Sequence, residues 1–341
     1  MKNDIVKSEK KSNITGSSLL IRILVVVGIY ALVSALMLTG NMSRSWESLS
    51  IRICFNVILA LSLNLVVGFL GELSLGHAGF YAVGAYAGSM FAVYTDFPMF
   101  VRIIGAVLVG ALSAGIAGFL ISSSILKLKG DYLAIVTLAF GEIIRSFVKI
   151  LPGTGGTAGL SGIPAFPSRY VGFTFAYAFV ILTLIILKCF INSRHGRAVT
   201  AIRDNVISAE MLGININRYK VTVFVIASVL AGVAGVIFSF FKTMIEPNDF
   251  SYNLSIEILV MVVIGGMGNL TGSIIAAGVI VVVPELLRAL EDYRMLMYAI
   301  VLIAVMLINE SPKKAQFIER YSPKVLLKKL LRKGEKKSES A

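Results

Sequence analysis

The feature that most limits the fold of this chain is a series of long apolar runs separated by short polar stretches. An apolar α-helix needs about twenty residues to cross the hydrocarbon core of a membrane. By that measure the sequence predicts spans near 19–40, 51–70, 76–94, 100–125, 131–150, 169–191 and 219–241. With 57% hydrophobic and only 15% charged residues among its 341, the chain is far more apolar than a soluble domain. The sequence therefore predicts an all-α polytopic membrane protein.

The region 254–310 decides how many spans there are, because it can be divided into two or three. The tails 1–18 and 311–341 are rich in lysine, and basic residues beside spans favour the cytoplasmic side. If both tails are cytoplasmic, the number of spans is even. We therefore place a break at 265–272, GGMGNLTG, which predicts about ten spans, within a range of eight to ten, in a transmembrane domain 19–310.

Composition excludes several classes of function. The net charge of +13 comes mostly from the tails and short loops, so it indicates membrane topology rather than nucleic-acid binding. Cys54 and Cys189 lie in separate apolar runs, where packing is the expected role. There is no P-loop, no spacing typical of metal ligands and no nucleophile with a neighbouring base, so we expect neither cofactor nor catalysis. The run 19–40 follows four lysines like a signal peptide, but its length predicts an uncleaved anchor.

A polar stretch, 192–220, lies between the sixth and seventh apolar runs and is too charged to enter lipid. From Arg197 to Leu212 its apolar residues recur at three- and four-residue steps, which places them on one helical face: Val199, Ile202, Val206, Ala209 and Leu212. Arg203, Asp204 and Glu210 fall away from that face. Ser193 can cap the start and Gly213 can supply a left-handed end. This amphipathic helix lies either along the lipid headgroups or in a groove of the bundle or of a partner.

A glycine-rich stretch, 64–90, places Glu72, Ser74 and His77 inside otherwise apolar sequence. Such side chains are costly in lipid unless they face protein, water or the interface. One interpretation is a turn between the second and third spans, with Glu72 and His77 at the cytoplasmic edge. The other is a discontinuous helix whose N–H groups line a path through the membrane. A weak similarity between 68–88 and 265–278 reflects either internal duplication or chance.

Charged residues also occur within the fifth span. Glu142, Arg145 and Lys149 recur at three and four residues, so they can share one helical face. A buried charge must be paired. We expect an internal Glu142–Arg145 ion pair rather than contact with a transported solute.

Four stretches of the chain resemble the LivM family, the permease subunits of bacterial ABC importers for branched-chain amino acids. They are GRAVTAIRDNVISAEMLGININRYKVTVF, NLVVGFLGELSLGHAGFYAVGAYAGSM, GTGGTAGLSGIP and GGMGNLTGSIIAAG. The importer pattern EAA-x-x-x-G is only partly present: aligned on Gly213, the triplet is Ile207, Ser208 and Ala209. Gly213 and Ala209 therefore match the pattern, whereas the glutamate has no counterpart.

The resemblance implies that the stretch 192–220 carries a coupling helix that docks on an ATPase subunit. The residues it assigns to coupling are Arg197, Ile202, Arg203, Ala209, Glu210 and Gly213. For the translocation path, the hydroxyls and glycine backbone of the two glycine-rich loops suggest Ser74, Gly76, His77, Gly79, Thr154, Gly155, Gly156 and Thr157.

The same resemblance implies a set of partners and a location. It predicts a second related permease, two cytoplasmic ATP-binding subunits, an extracytoplasmic solute-binding protein and a bacterial cytoplasmic membrane with both termini inside. The subunit itself would not hydrolyse ATP. An importer of urea, short amides or sugars with the same architecture is one alternative, and a secondary transporter or channel without ATPase partners is another.

Overall fold

The computed structural model of this protein describes residues 27–40, 42–125, 128, 130–287 and 303. These residues are mostly helical and contain no β-strand, only an isolated antiparallel bridge between Leu160 and Ile245. The all-α prediction is confirmed for this part of the chain. The basic tails and the last predicted span lie outside the described residues. Contacts divide the chain into two units, one that ends at Val281 and one that begins at Val282.

The helices follow the predicted apolar runs closely. In chain order, α1 to α11 cover Val27–Leu38, Arg44–Asn64, His77–Tyr94, Met99–Ile125, Asp131–Ile150, Arg169–Asn192, Arg194–Asp204, Val206–Met211, Ile216–Lys242, Tyr252–Gly265 and Leu270–Leu286. A π-helical turn, Leu65–Leu70, continues α2, and 3₁₀ turns cover Gly156–Ala158 and Pro247–Phe250. Within the part of the chain that the structure describes, four segments are long and apolar enough to cross a membrane: Arg44–Leu70, α4, α6 and α9. A break is confirmed at 266–269, within the predicted 265–272, and the total of about ten spans stays a prediction.

Glycines allow α3, α4 and α9 to pack closely at the centre of the bundle. A Cβ added at Gly84 would lie 2.2 Å from the Cα of Gly232, and one added at Gly232 would lie 2.7 Å from the carbonyl oxygen of Gly110. Small residues at such crossings let backbones approach and gain dispersion contacts, which drive helix association in lipid. The glycine-rich sequence therefore serves helix packing as well as helix breaks.

The pairing of residues along these helices sets their directions. Gly84 lies against Gly232 and Gly88 against Val236, so α3 runs parallel to α9. On α4, Gly110 lies against Val236, and Gly118, further along the helix, lies against Ser228. α4 therefore runs antiparallel to both. Because α7 and α8 directly precede α9, they lie at the end of the bundle where α9 begins, which we call the α7 end.

The chain between α2 and α3 turns back into the bundle before α3 begins. Gly71 has a left-handed backbone, with φ of 80°, and residues 71–76 are not helical. His77, the first residue of α3, contacts Ser62. Ser62 lies before the end of the π-helical turn by about 12 Å along the helix axis, so α3 begins inside the bundle. We call the non-helical stretch 71–76 the helix break.

A second segment enters from the opposite end, after α9. Phe250 in the 3₁₀ turn packs on Tyr81, with ring centroids 5.2 Å apart, and α10 begins at Tyr252. The Oγ of Ser255 in α10 accepts a hydrogen bond from the N–H of Ala78, at 3.0 Å. The starts of α3 and α10 therefore meet inside the bundle.

Candidate coupling segment and helix break

The predicted amphipathic helix is two helices, α7 and α8, which together we call the coupling segment. Ser193 caps α7 by accepting from the N–H of Gly196, and Gly213 has φ of 78°, so both predicted ends are confirmed. The single helix was wrong, because Asn205 adopts an extended backbone, with φ of −158°, and caps α8 by accepting from the N–H of Ser208 at 3.0 Å. An Asx side chain offers the backbone such an alternative to continuing a helix.

The break at Asn205 changes which side chains the coupling segment buries. Val199, Ile202 and Ala209 are buried, as their spacing predicted. Leu212 was placed on the same face and is instead 78% exposed, because α8 ends at Met211 and Leu212 already belongs to the turn that leads to Gly213. Three exposed apolar side chains form what we call the apolar tip: Ile207, Met211 and Leu212.

Two clefts flank the loop that follows the apolar tip. One, of about 550 Å³, is lined by Glu210, Lys220 and residues 213–217. The other, of about 690 Å³, lies against Phe190 and His195 on one side and the first turns of α9 on the other. The loop therefore stands between two concave surfaces at the α7 end.

Arg203 connects the coupling segment to the helix preceding the break. Its side chain is partly exposed and pairs with Asp204, at 3.0 Å. Its position on the helix predicted that it would point away from the apolar face, but it also reaches the bundle. Its Nη1 donates to the carbonyl oxygen of Gly68, at 3.0 Å. Its Cγ would lie 2.7 Å from a Cβ at Gly71, so the absence of a side chain there gives it room. Arg197 and Glu210 are exposed.

A buried ion pair joins the helix break to the start of α9. The Nζ of Lys220 pairs with Oε1 of Glu72, and the two side chains are only 6% and 13% exposed. The sequence pattern indicated Glu72 but not Lys220. The available signal was a lysine at the edge of a long apolar run, which is more often read as a residue that extends toward water.

Asn64 joins the two glycine-rich stretches that resemble each other weakly. Its Oδ1 accepts from the N–H of Gly268 at 2.8 Å, and its Nδ2 donates to Oγ of Ser273 at 2.9 Å. A Cβ at Gly68 would lie 2.2 Å from the nitrogen of Gly268. The stretches are therefore in direct contact, whether or not they arose by duplication.

The first group of predicted path residues is enclosed in the bundle. His77 is 1% exposed, and its Nε2 lies 2.7 Å from Oγ of Ser62. The interpretation that placed His77 at the cytoplasmic edge is therefore wrong for this residue, because α3 starts inside the bundle. Ser74 is also buried, and its Oγ has no hydrogen-bond partner among the described residues. Gly76 and Gly79 pack on α5.

Neighbouring side chains satisfy N–H groups of the break and of the start of α3. The N–H of Leu75 donates to Oγ1 of Thr137, at 3.0 Å, and that of Ala78 donates to Ser255. These N–H groups are thus bonded within the subunit. α5 and α10 hold the start of α3 in position.

The second group of predicted path residues lies at the other end of α5. Thr154 is buried, and its Oγ1 donates to the carbonyl oxygen of Val148 at 2.6 Å. Gly155 and Gly156 both have positive φ, and Thr157 is exposed. Gly76, of the first group, contacts α5 at Thr137, near the start of that helix. The structure therefore does not bring the two groups together.

The predicted ion pair on α5 is confirmed. Nη2 of Arg145 lies 2.7 Å from Oε2 of Glu142, and Oε1 of the same carboxylate accepts from the N–H of Tyr252, at 3.2 Å. Glu142 therefore also holds the first residue of α10. Both side chains are about a quarter exposed, which lowers the desolvation cost of the two charges.

Comparison with known proteins identifies the family. The family model described as the permease component of the branched-chain amino acid transport system matches residues 46–307. The branched-chain amino acid permease protein LivM is 33% identical in Escherichia coli and 34% identical in Salmonella typhimurium, each over 298 residues, 78% of this chain and 69% of the relative. The ribose import permease protein RbsC of Haemophilus influenzae is 28% identical over 278 residues, 74% of this chain and 80% of the relative. No solved structure matches. The chain therefore belongs to the family of permease components of branched-chain amino acid transport systems.

Proposed function

We propose that this chain is a membrane-embedded permease subunit of an ATP-driven importer for leucine, isoleucine and valine. It acts with a second related permease, two ATP-binding subunits and a solute-binding protein, in a bacterial cytoplasmic membrane with both termini on the cytoplasmic side. Family membership supports the transport role. The observation that carries the coupling role is the coupling segment, which presents an apolar tip outside the packed helices.

The surroundings of the apolar tip favour a soluble protein as its partner. The apolar tip is followed by exposed Gly213, Asn215 and Asn217, and exposed Glu210 lies between Ile207 and Met211. Side chains of this polarity are costly to place in hydrocarbon. Large exposed apolar side chains within a polar rim are typical of protein interfaces, and the two clefts offer concave surfaces to the same partner. We assign the ATPase subunit to this surface.

The predicted coupling residues fall into two roles in this proposal. Ile202 and Ala209 anchor the coupling segment on the bundle, and Gly213 forms the turn that leads into α9. Arg197 and Glu210 present charge to the ATPase. Arg203 faces inward, toward the helix break.

The predicted path residues are proposed to act only in part of the transport cycle. Because Ser74 and His77 are enclosed here, the stretch including Gly76 and Gly79 lines the path only after the coupling segment has moved. The loop Thr154–Thr157 lies at the opposite end of α5 and lines the entrance from that side. Solute delivered by the solute-binding protein would meet this entrance first.

Uptake by the reconstituted complex tests the function. Proteoliposomes holding both permeases and both ATPases, supplied with the binding protein, should accumulate labelled leucine only when ATP is present. Unlabelled isoleucine and valine should compete, whereas urea, short amides and ribose should not. Ribose belongs in the test because of the similarity to RbsC. Competition by ribose alone would indicate a sugar importer, and uptake that follows an ion gradient without ATP would indicate a secondary transporter.

The docking surface is tested separately by changing the apolar tip. Leu212→Asp should reduce recovery of the ATPase with the permease about tenfold or more, because burying a leucine side chain contributes about 1.5–3 kcal/mol. Membrane insertion should be unchanged, since Leu212 makes little contact with the bundle. Asn192→Ala, an exposed change at the same end, is the matched control. Equal recovery for both variants would place the ATPase elsewhere.

A further inference from the structure

Two contacts join the coupling segment and its exit helix to the two sides of the helix break. Arg203, near the end of α7, bonds the carbonyl oxygen of Gly68 just before the break, at 3.0 Å. Lys220, in the second turn of α9, pairs with Glu72 inside the break. The coupling segment is therefore attached to the π-helical turn that continues α2, and α9, which follows the segment, is attached to the chain that leads into α3.

The Glu72–Lys220 contact is hard to separate because Lys220 is buried and Glu72 is only 13% exposed. The attraction between two ions in a poorly solvated site offsets their loss of hydration only while they stay together. Exposed pairs such as Arg203–Asp204 can exchange their partner for water at little cost. When the start of α9 moves, Glu72 is therefore constrained to move with Lys220.

A displacement of Glu72 has a direct route to the start of α3. Gly71, beside it, has the left-handed backbone that lets the chain turn here, and only the short non-helical stretch separates Glu72 from His77. That stretch is bonded to α5 through Leu75 and Thr137, and the first turn of α3 to α10 through Ala78 and Ser255. These hydrogen bonds join neutral groups, so each is weaker than the ion pair. A displacement of Glu72 can therefore replace them one at a time with other hydrogen-bond partners.

We infer that the Glu72–Lys220 ion pair, together with the Arg203–Gly68 bond, is the joint through which movement of the coupling segment reaches the start of α3. Glu72 and Lys220 are positioning residues, since they act through the break rather than on the solute. This inference rests on the proposed importer function and goes beyond it by naming the residues that transmit the motion.

The experiment measures solute transported per ATP hydrolysed in the complete reconstituted transporter. Glu72→Gln and Lys220→Met should each lower this ratio about tenfold, a typical size for the coupling between two sites, while ATPase recovery with the permease stays normal. The charge swap, Glu72→Lys with Lys220→Glu, should restore much of the ratio. Glu47→Gln removes a carboxylate paired with Arg169 at the opposite end of α2, and this matched control should leave the ratio unchanged.

Hydrogen exchange separates failure of the joint from failure of the importer function. In the wild-type complex, exchange in residues 68–79 should change when ATP binds, and Lys220→Met should abolish this change. If the wild-type complex moves no amino acid but shows this response, the importer assignment falls and the joint stands. If both single variants transport as much solute per ATP as the wild type and show the same change in hydrogen exchange, the inference is overturned. If the single variants do not reach the membrane, the charge swap decides: recovery of the ratio supports the joint, and assembly without recovery refutes it.

Discussion

The packing of α3 on α9 predicts that a single methyl group at Gly84 destabilises the subunit. A Cβ there would lie 2.2 Å from the Cα of Gly232, and the next nearest atoms are also backbone. Because ordinary contact begins at 3.4 Å, the helices must separate by about 1.2 Å at this point. A gap of about 1 Å forfeits up to half of the dispersion energy of the neighbouring contacts. We therefore expect Gly84→Ala to cost about 2–3 kcal/mol, in the upper range for overpacked sites.

Thermal unfolding of the detergent-solubilised subunit measures this cost. Gly84→Ala should lower the midpoint by about 5 °C or more, using the scaling for domains of 150–250 residues. Gly278→Ala is the matched control, since it is also a helical glycine and its added Cβ would meet no atom within 4 Å. The control should unfold at or slightly above the wild-type temperature, because alanine is the better helix former. Equal midpoints for Gly84→Ala and the wild type would refute the close packing of the two backbones.

Two further predictions concern the helix break and its surroundings. Asn64→Ala should cost about 2 kcal/mol, because the N–H of Gly268 loses its buried acceptor. Asn56→Ala should cost much less, since among the described residues the Asn56 side chain bonds within α2 alone. Equal unfolding midpoints for the two variants would argue against the link between Asn64 and Gly268. In a Cys189→Ser background, Ser74→Cys should react with a water-soluble thiol reagent only in the assembled transporter with ATP, whereas Thr157→Cys should react throughout. Labelling of Ser74→Cys in the isolated subunit would contradict its enclosure.

The predictions that the structure confirms depend on local interactions. Ser193 and Gly213 end the coupling segment as expected, because a cap and a left-handed residue act within a turn of their own position. Glu142 meets Arg145 because residues three apart on a helix are neighbours. The helical boundaries along the apolar runs follow from the length of chain that a membrane requires.

The errors in the coupling segment come from competition between local and helical hydrogen bonds. The apolar spacing of 197–212 fitted one helix, but Asn205 could also cap a new one, and spacing alone does not weigh these alternatives. Leu212 is exposed because it lies past the last residue of α8, where the helical spacing no longer applies. The exposure decides its proposed role, since a buried leucine could not contact an ATPase.

The contacts at the helix break were decided only by the tertiary structure. Sequence pattern indicated that Glu72 should face protein, water or the interface, because a charge is costly in lipid. It did not show that Glu72 pairs with Lys220, on a helix far along the chain. The same holds for Asn64 with Gly268 and for Arg203 with Gly68. By itself the sequence determined which segments are apolar helices and where glycines interrupt them. The packing of those helices decided which polar groups meet, because long-range partners are selected by the relative positions of whole helices rather than by spacing along the chain.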